Sequence, residues 1–351
     1  MSFRKRVTVN VFCFFVLAAW AVVADDPYEN EYGDEYGVEW LYFVTDNATR
    51  IVMNFSSLPA DTRGLLFGEA YFTLYTRQNR DNPEPLIIPE GDANINSTYF
   101  NASNDIKVIT HGWISSESTT WLQNIRDEYL VKYDYNVITV DWSEIARNPS
   151  YVWPALSTRY VGKRVAKLLD SLEKSYQGQR KLHLIGHSLG AQVMGYAGMF
   201  SGRRIDRITG LDPARPLFEF PEMPANFRLE KSDAEFVDII HSCAGVYGYR
   251  NSHGHADFYP NSGRPRQPGC EGPQYMIEGC SHGRSCEFYN ESISSDVPFI
   301  AYPCDSWKSF QNGNCKTDST KMGDPVCLNS RGDYYLHTHN TYKYAMGDEF
   351  E

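Results

Sequence analysis

The chain has 351 residues, 42% of them apolar and 14% aromatic, which is ample material for a large core and unlike a disordered or fibrous protein. Lysine and arginine total 33 against 44 aspartates and glutamates, a net charge of −11. That balance argues against nucleic acid as a partner, because affinity for phosphate backbones comes from basic surface.

Read from the N-terminus, Arg4, Lys5 and Arg6 precede an apolar run from Val7 to Val23, with Val22 and Ala24 as the small residues of a cleavage site. Residues 1–24 therefore read as a secretory signal peptide. A membrane anchor fits less well, since the run includes Thr8 and Asn10, is short for a span, and meets acidic residues at once. Two further features agree with a secreted, extracellular chain. Sequons for N-glycosylation stand at Asn47, Asn54, Asn96, Asn101 and Asn290. Apart from Cys13 in the signal, all cysteines fall between Cys243 and Cys327, a clustering that suggests local disulfide staples.

Asp25 to Glu39 carries seven acidic residues interleaved with Tyr28, Tyr32 and Tyr36. Residues 25–40 are expected to form a solvated, flexible tail, followed by one domain over residues 41–351. Tyr71–Thr76 and Ile106–Thr110 read as strands from their apolar alternation and β-branched residues. Trp121–Lys132 reads as a helix. Asn136–Trp142 is a continuous β-rich run of the kind buried on both faces. Tyr160–Tyr176 is an amphipathic helix with Val161, Val165, Leu168, Leu169 and Leu172 on one stripe. Then follow Lys181–Gly186 as strand, Ser188–Met199 as helix, and Ile205–Gly210 and Glu235–His241 as strands. Alternation of this kind predicts an α/β fold with a mostly parallel central sheet covered by helices.

The chemistry falls at one strand–helix junction. Leu182–Leu184 leads into Gly186-His187-Ser188-Leu189-Gly190, and a helix rich in small residues follows. This is the G-x-S-x-G pattern in the strand–turn–helix setting that exposes a serine nucleophile. The plainer reading is a structural serine in a tight turn. A nucleophilic serine needs a base and an acid that orients it. Asp212, in Gly210-Leu211-Asp212-Pro213-Ala214, ends the next strand, where open α/β sheets place active groups. The histidines that follow are His241, His253, His255, His282, His337 and His339, and spacing alone does not choose among them. His253 and His255 lie in a glycine-rich loop suited to an accessible base. His337 and His339 share a strand face, but no third metal ligand stands at sensible spacing.

Taken together and in order, GHSLG, GLDPA and GHADFYPN resemble the pancreatic-lipase superfamily from about Phe67 to Cys327, closest to single-domain insect-type lipases and phospholipases A1. The resemblance implies an α/β-hydrolase fold and a serine carboxylic ester hydrolase with the triad Ser188, Asp212 and His255. It also marks Thr110-His111-Gly112-Trp113 as an oxyanion loop, so that the Trp113 and Leu189 amides would form the oxyanion hole. Cys270 and Cys280 match the family's lid disulfide, enclosing a short lid that includes Glu271, Tyr275, Met276, Ile277 and Gly279. Cys304–Cys315 matches another family bridge, Cys243–Cys286 is a further expected pair, and Cys327 is left over. The short lid favours phospholipase A1-type cleavage, with a neutral-lipid lipase, for tri- or diacylglycerol or galactolipid, as the alternative. A non-enzymatic lipid-binding or yolk-like protein is the reading from another class, and the presence of Ser188, Asp212 and His255 speaks against it. The implied partner is lipid at a membrane or droplet interface, met through Tyr275, Met276 and Ile277. No C-terminal β-sandwich and hence no colipase dependence are expected. No cofactor is expected either: Arg228, Glu230 and Asp233 only partly match a calcium loop of the family, since Ala225 falls where a glutamate ligand would be.

Overall fold

The computed structural model describes residues 31–33, 35–37, 39–45, 48–54, 68–90, 94–315 and 317–348. The expected signal peptide and the sequon at Asn47 lie outside them. In chain order the strands are β1 (Trp40–Val44), β2 (Arg50–Asn54), β3 (Tyr71–Tyr75), β4 (Glu84–Pro85), β5 (Ile106–Thr110), β6 (Asn136–Asp141), β7 (Leu182–His187), β8 (Arg207–Leu211), β9 (Phe236–Ile240), β10 (Ala256–Pro260), β11 (Ile300–Pro303), β12 (Thr320–Lys321) and β13 (Gly332–Leu336). The helices are α1 (Thr120–Lys132), α2 (Ser143–Ala146), α3 (Val152–Ser175), α4 (Leu189–Phe200), α5 (Gln274–Ser294) and α6 (Trp307–Gln311).

Eleven strands form one sheet in the order β12-β11-β13-β10-β9-β8-β7-β5-β6-β3-β4. Every pairing from β6 through β13 is parallel, while β3 and β11 close the two sides antiparallel. The central strands alternate between two apolar layers. Val108, Leu184, Ile208 and Ile239 face one cluster with α3 and α4, and Ile109, Ile185, Leu211 and Ile240 face the other with α1 and α5. Both faces are thus covered, which is why these strands read as unbroken apolar runs.

Helix α3 begins eight residues before the amphipathic stripe does, at Val152 rather than Tyr160. Its early turns carry Pro154, which the first turn of a helix tolerates because the missing N–H has no intrahelical partner there. Helix α5 carries no clear apolar stripe. Its buried residues include Gln274, Glu278, Ser281, His282, Ser285 and Glu291, and periodicity reads such a face as solvent-exposed.

A polar ladder crosses the layer beneath α1 and α5. Lys107 on β5 lies 3.0 Å from His183 on β7, whose other ring nitrogen lies 2.8 Å from Thr209 on β8. Arg207 donates two bonds to Asp238 on β9, at 2.8 and 2.9 Å. Each side chain is buried, so each must find its partner within the protein.

The expected flexible tail is corrected in its described part. Tyr36 is buried, and the rings of Tyr32, Tyr36, Trp40 and Tyr42 pack against one another at centroid distances of 4.7–6.3 Å. The tyrosines that break up the acidic run supply apolar area for packing, while Glu31, Glu35 and Glu39 stay exposed. β1 and β2 pair in register, Trp40 to Asn54 through Val44 to Arg50. This hairpin lies between α5 and the body of the protein, with Leu41, Phe43 and Met53 buried in the core.

Candidate active site

The sheet reverses its order of growth at β5, which has β6 on one side and β7 on the other. Open α/β sheets bind ligands at such a switch point, outside the carboxyl ends of the strands. The loop after β5 carries His111, Gly112 and Trp113, and the turn after β7 carries Ser188. Ser188 adopts φ 57° and ψ −124° between β7 and α4, a conformation that L residues adopt only under constraint. Close approach holds it there. A Cβ on Gly190 would lie 2.6 Å from the His111 carbonyl oxygen, and one on Gly112 would lie 2.9 Å from Ser188 Cβ. Only glycine lets the loop after β5, the serine and the first turn of α4 come together.

Asp212 follows β8 and is fully buried. Its Oδ1 accepts the backbone N–H groups of Ser242 at 2.8 Å and Cys243 at 3.0 Å. Its Oδ2 lies 2.5 Å from Nδ1 of His282. The opposite ring nitrogen of His282, Nε2, is buried and has no hydrogen-bond partner among the described residues. His282 is held by its neighbours. Its ring stands edge-on to Tyr247 at 5.3 Å and to Phe43 at 6.4 Å, and tilted to His187 at 4.4 Å. His187 Nε2 lies 3.2 Å from the His282 carbonyl oxygen. Burial, and then the neighbouring His282 ring, push the pKa of His187 well below its ordinary value, so His187 is neutral and donates that bond.

Ser188, His282, Gly112 and Trp113 line one cavity of about 320 Å³ together with Phe43, Val44, Thr45, Ala48, Met276 and Gly279. Small-molecule sites commonly have this size and a mainly apolar lining with few polar groups. Trp113 is anchored by its indole N–H, which donates to the Asn148 carbonyl at 2.8 Å, and by ring contacts with Phe43 and Tyr151 at 4.9 and 5.2 Å. Leu189 is the first residue of α4, where an N–H has no intrahelical acceptor.

His255, expected as the base, does not belong to this site. It precedes β10, at the amino end of a strand parallel to β9, whereas Ser188 and Asp212 stand at carboxyl ends. A five-residue strand is about 16 Å long, so the two ends are out of reach. His255 Nδ1 instead accepts the Val237 N–H at 3.0 Å, and its ring stacks on Phe236 at 5.9 Å. The histidine beside Asp212 is His282. It follows the second lid cysteine, Cys280, by two residues, and that position at the foot of the lid was the sequence signal for it. The other histidines have separate roles. His241 pairs with buried Asp257 at 2.8 Å, and His253 bridges Glu219 and Glu230 at 3.2 and 3.0 Å. Glu230 is also held by Arg228 at 2.8 Å, while Asp233 accepts the Glu230 N–H at 2.9 Å. Arg228, Glu230 and Asp233, which only partly match the family's calcium loop, thus engage one another and His253.

The Cys270–Cys280 and Cys304–Cys315 disulfides are present. The expected Cys243–Cys286 bridge is not formed. Both thiols are buried and neither is in a disulfide; their chain neighbours meet, Ser285 N–H donating to Ser242 Oγ at 3.3 Å, but the two side chains join different apolar clusters. Cys327 is exposed. The segment expected as a lid comprises the loop after Cys270 and the first turns of α5. Ile277 was expected to face an interface but is buried, Tyr275 packs on Tyr42 at 6.1 Å, and Met276 is the exposed apolar residue of the three. Among the sequons, Asn54, Asn96 and Asn101 are exposed, whereas Asn290 lies within α5 with its Oδ1 buried. Among the described residues no helix is long and apolar enough to cross a membrane.

Residues 45–344 match the family model described as Lipase. Lipase member H of Xenopus tropicalis is 36% identical over 248 residues, covering 69% of this chain and 52% of that protein. Pancreatic lipase-related protein 2 of Bos taurus is 36% identical over 270 residues, covering 70% and 56%. A relative named inactive pancreatic lipase-related protein 1, of Homo sapiens, is equally 36% identical over 266 residues, covering 70% and 56%. The chain spans about half the length of these relatives.

Proposed function

The chain belongs to the lipase family, and from that premise we propose that it is a secreted lipid carboxylester hydrolase acting through Ser188, His282 and Asp212. One relative carries the word inactive in its name, so activity has to be argued from the site. The observation that carries the proposal is His282 itself. Its Nδ1 faces a buried carboxylate at 2.5 Å, and its Nε2 is left without a partner among the described residues, in a cavity shared with Ser188. A buried ring nitrogen with nothing to bond is costly, and a serine hydroxyl or the leaving group of a substrate would satisfy it.

In the mechanism, Asp212 holds the imidazole in the tautomer with its proton on Nδ1. Nε2 takes the Ser188 hydroxyl proton as Oγ attacks the ester carbonyl, and returns it to the departing alcohol. The Trp113 and Leu189 amides stabilise the oxyanion, a donor pair of which each member is typically worth about 3–4 kcal/mol of barrier. Water, deprotonated by His282, then releases the fatty acid and regenerates the serine. The groups in this scheme need no cofactor.

Phospholipase A1-type cleavage is the favoured specificity. It rests on the short lid, closed by a disulfide between cysteines ten positions apart, which leaves room at the cavity mouth for a polar head group. The test incubates the secreted protein with a phospholipid and a triacylglycerol in parallel, beside Ser188→Ala. Fatty acid released from the sn-1 position of the phospholipid supports the assignment. Release from sn-2 alone overturns the A1 assignment, turnover of triacylglycerol alone points to a neutral-lipid lipase, and equal turnover by Ser188→Ala overturns the mechanism.

A further inference from the structure

Arg50 opens β2 and is exposed. Its guanidinium carbon lies 4.5 Å from the ring centroid of Tyr42 on β1 and 4.7 Å from that of Tyr275 on α5. It forms no ion pair with a carboxylate among the described residues, although acidic residues outnumber basic ones in this chain. Stacking engages the face of a guanidinium and leaves its N–H donors, which lie in the plane, for other partners.

The location gives this cation a purpose. Val44, the register partner of Arg50, lines the Ser188 cavity, as does Ala48 two residues before Arg50. Across from the hairpin, Tyr275 is followed by Met276, which also lines it. Arg50 therefore sits at the seam between hairpin and lid, at the rim of the cavity. Two aromatic rings hold it there, and ordering of a long side chain before a ligand arrives reduces the entropic cost of binding. The planar array of donors matches the oxygens of a phosphate group.

We propose that Arg50 recognises the phosphodiester of the lipid substrate and thereby selects phospholipid over uncharged glyceride. The inference rests on the phospholipase reading above. In a glycerophospholipid the phosphate is attached to the same three-carbon backbone as the scissile ester. With the ester at Ser188, the phosphate stays near the rim while the acyl chain occupies the apolar cavity. The ester cleavage is that already described, and Arg50 takes no part in bond making.

The test compares short-chain phosphatidylcholine with diacylglycerol of the same acyl chains, for wild type, Arg50→Gln and Arg50→Lys. The ratio of kcat/KM for phosphatidylcholine to that for diacylglycerol is expected to fall about tenfold in Arg50→Gln and by less in Arg50→Lys, which keeps the charge. Added salt should raise KM for phosphatidylcholine in the wild type, a readout that holds even should a variant fold poorly. A ratio that stays within about twofold of wild type, or a parallel fall on both substrates, overturns the role of Arg50 while phospholipid cleavage by the wild type stands. Wild type that cleaves diacylglycerol and leaves phosphatidylcholine intact overturns the phospholipase reading, and this inference with it.

Discussion

Phe43 packs its ring 4.9 Å from that of Trp113, so a residue of the N-terminal hairpin braces the loop proposed to bind the oxyanion. The same ring stands 6.4 Å from His282 and lines the cavity. Tyr42 backs it from the next position, its carbonyl accepting the Tyr247 hydroxyl. The hairpin is thus a wall of the site, and two groups of the proposed chemistry, Trp113 and His282, share one apolar support.

Truncation of that support should be visible in both stability and rate. Phe43→Ala is expected to destabilise the protein by about 2–4 kcal/mol, near the low end for a buried phenylalanine because one side already faces a cavity. It should also lower kcat on a soluble short-chain ester by about tenfold, since Trp113 and His282 lose a neighbour that fixes them. A fall in melting temperature with unchanged kcat would limit Phe43 to packing.

The choice of base can be decided by two histidine variants assayed side by side. His282→Ala should lower kcat by about 10⁴-fold or more, comparably to Ser188→Ala, because the members of a triad act as a unit. His255→Ala is expected to keep kcat within about threefold and to show its effect as a small loss of stability. The opposite ranking would restore His255 as the base.

Removal of one partner from the ladder beneath α1 and α5 should be severe. Arg207 and Asp238 are both buried and doubly bonded, so Asp238→Ala leaves a buried guanidinium bonded, among the described residues, only to the Gly323 and Asp324 carbonyls. A loss of about 3–5 kcal/mol is expected, measured as a lower urea midpoint with unchanged slope. A loss under about 1 kcal/mol would mean that the pair is solvated or replaced.

The His253 cluster makes stability depend on pH in a stated direction. Burial opposes the charge on His253, but the hydrogen bonds it donates to Glu219 and Glu230 outweigh it and hold the pKa up at about 9. Burial likewise opposes charge on Glu219 and Glu230, and their bonds to His253, with others, hold both pKa values below the ordinary 4.5. A raised histidine pKa stabilises fully below the unfolded value of 6.5 and is lost as pH rises through about 9. The lowered carboxylates stabilise above about 4.5 and are lost in more acidic solution. Thermal melts should therefore weaken between about pH 6.5 and 9, and His253→Gln should flatten that slope. An identical slope in the variant would place the dependence elsewhere.

The sequence by itself determined the parallel core and the serine elbow. β5 through β9 announce themselves by continuous β-branched and apolar runs, and Gly186, Ser188 and Gly190 by a local requirement for close backbone approach. These signals are local, so one chain carries them without its neighbours. Tertiary structure alone decided which histidine meets Asp212. His255 lies in the more conspicuous motif, yet the parallel direction of β10 carries it to the far end of the sheet, while α5 returns His282 to the carboxyl ends. That helix was hidden because its inward face is polar, and a polar face is recognisable as buried only once its partners are in place. The acidic N-terminal stretch misled for the same reason. Its charges are evident in the sequence, but the hairpin and lid on which Tyr36 and Tyr42 pack exist only in the folded chain.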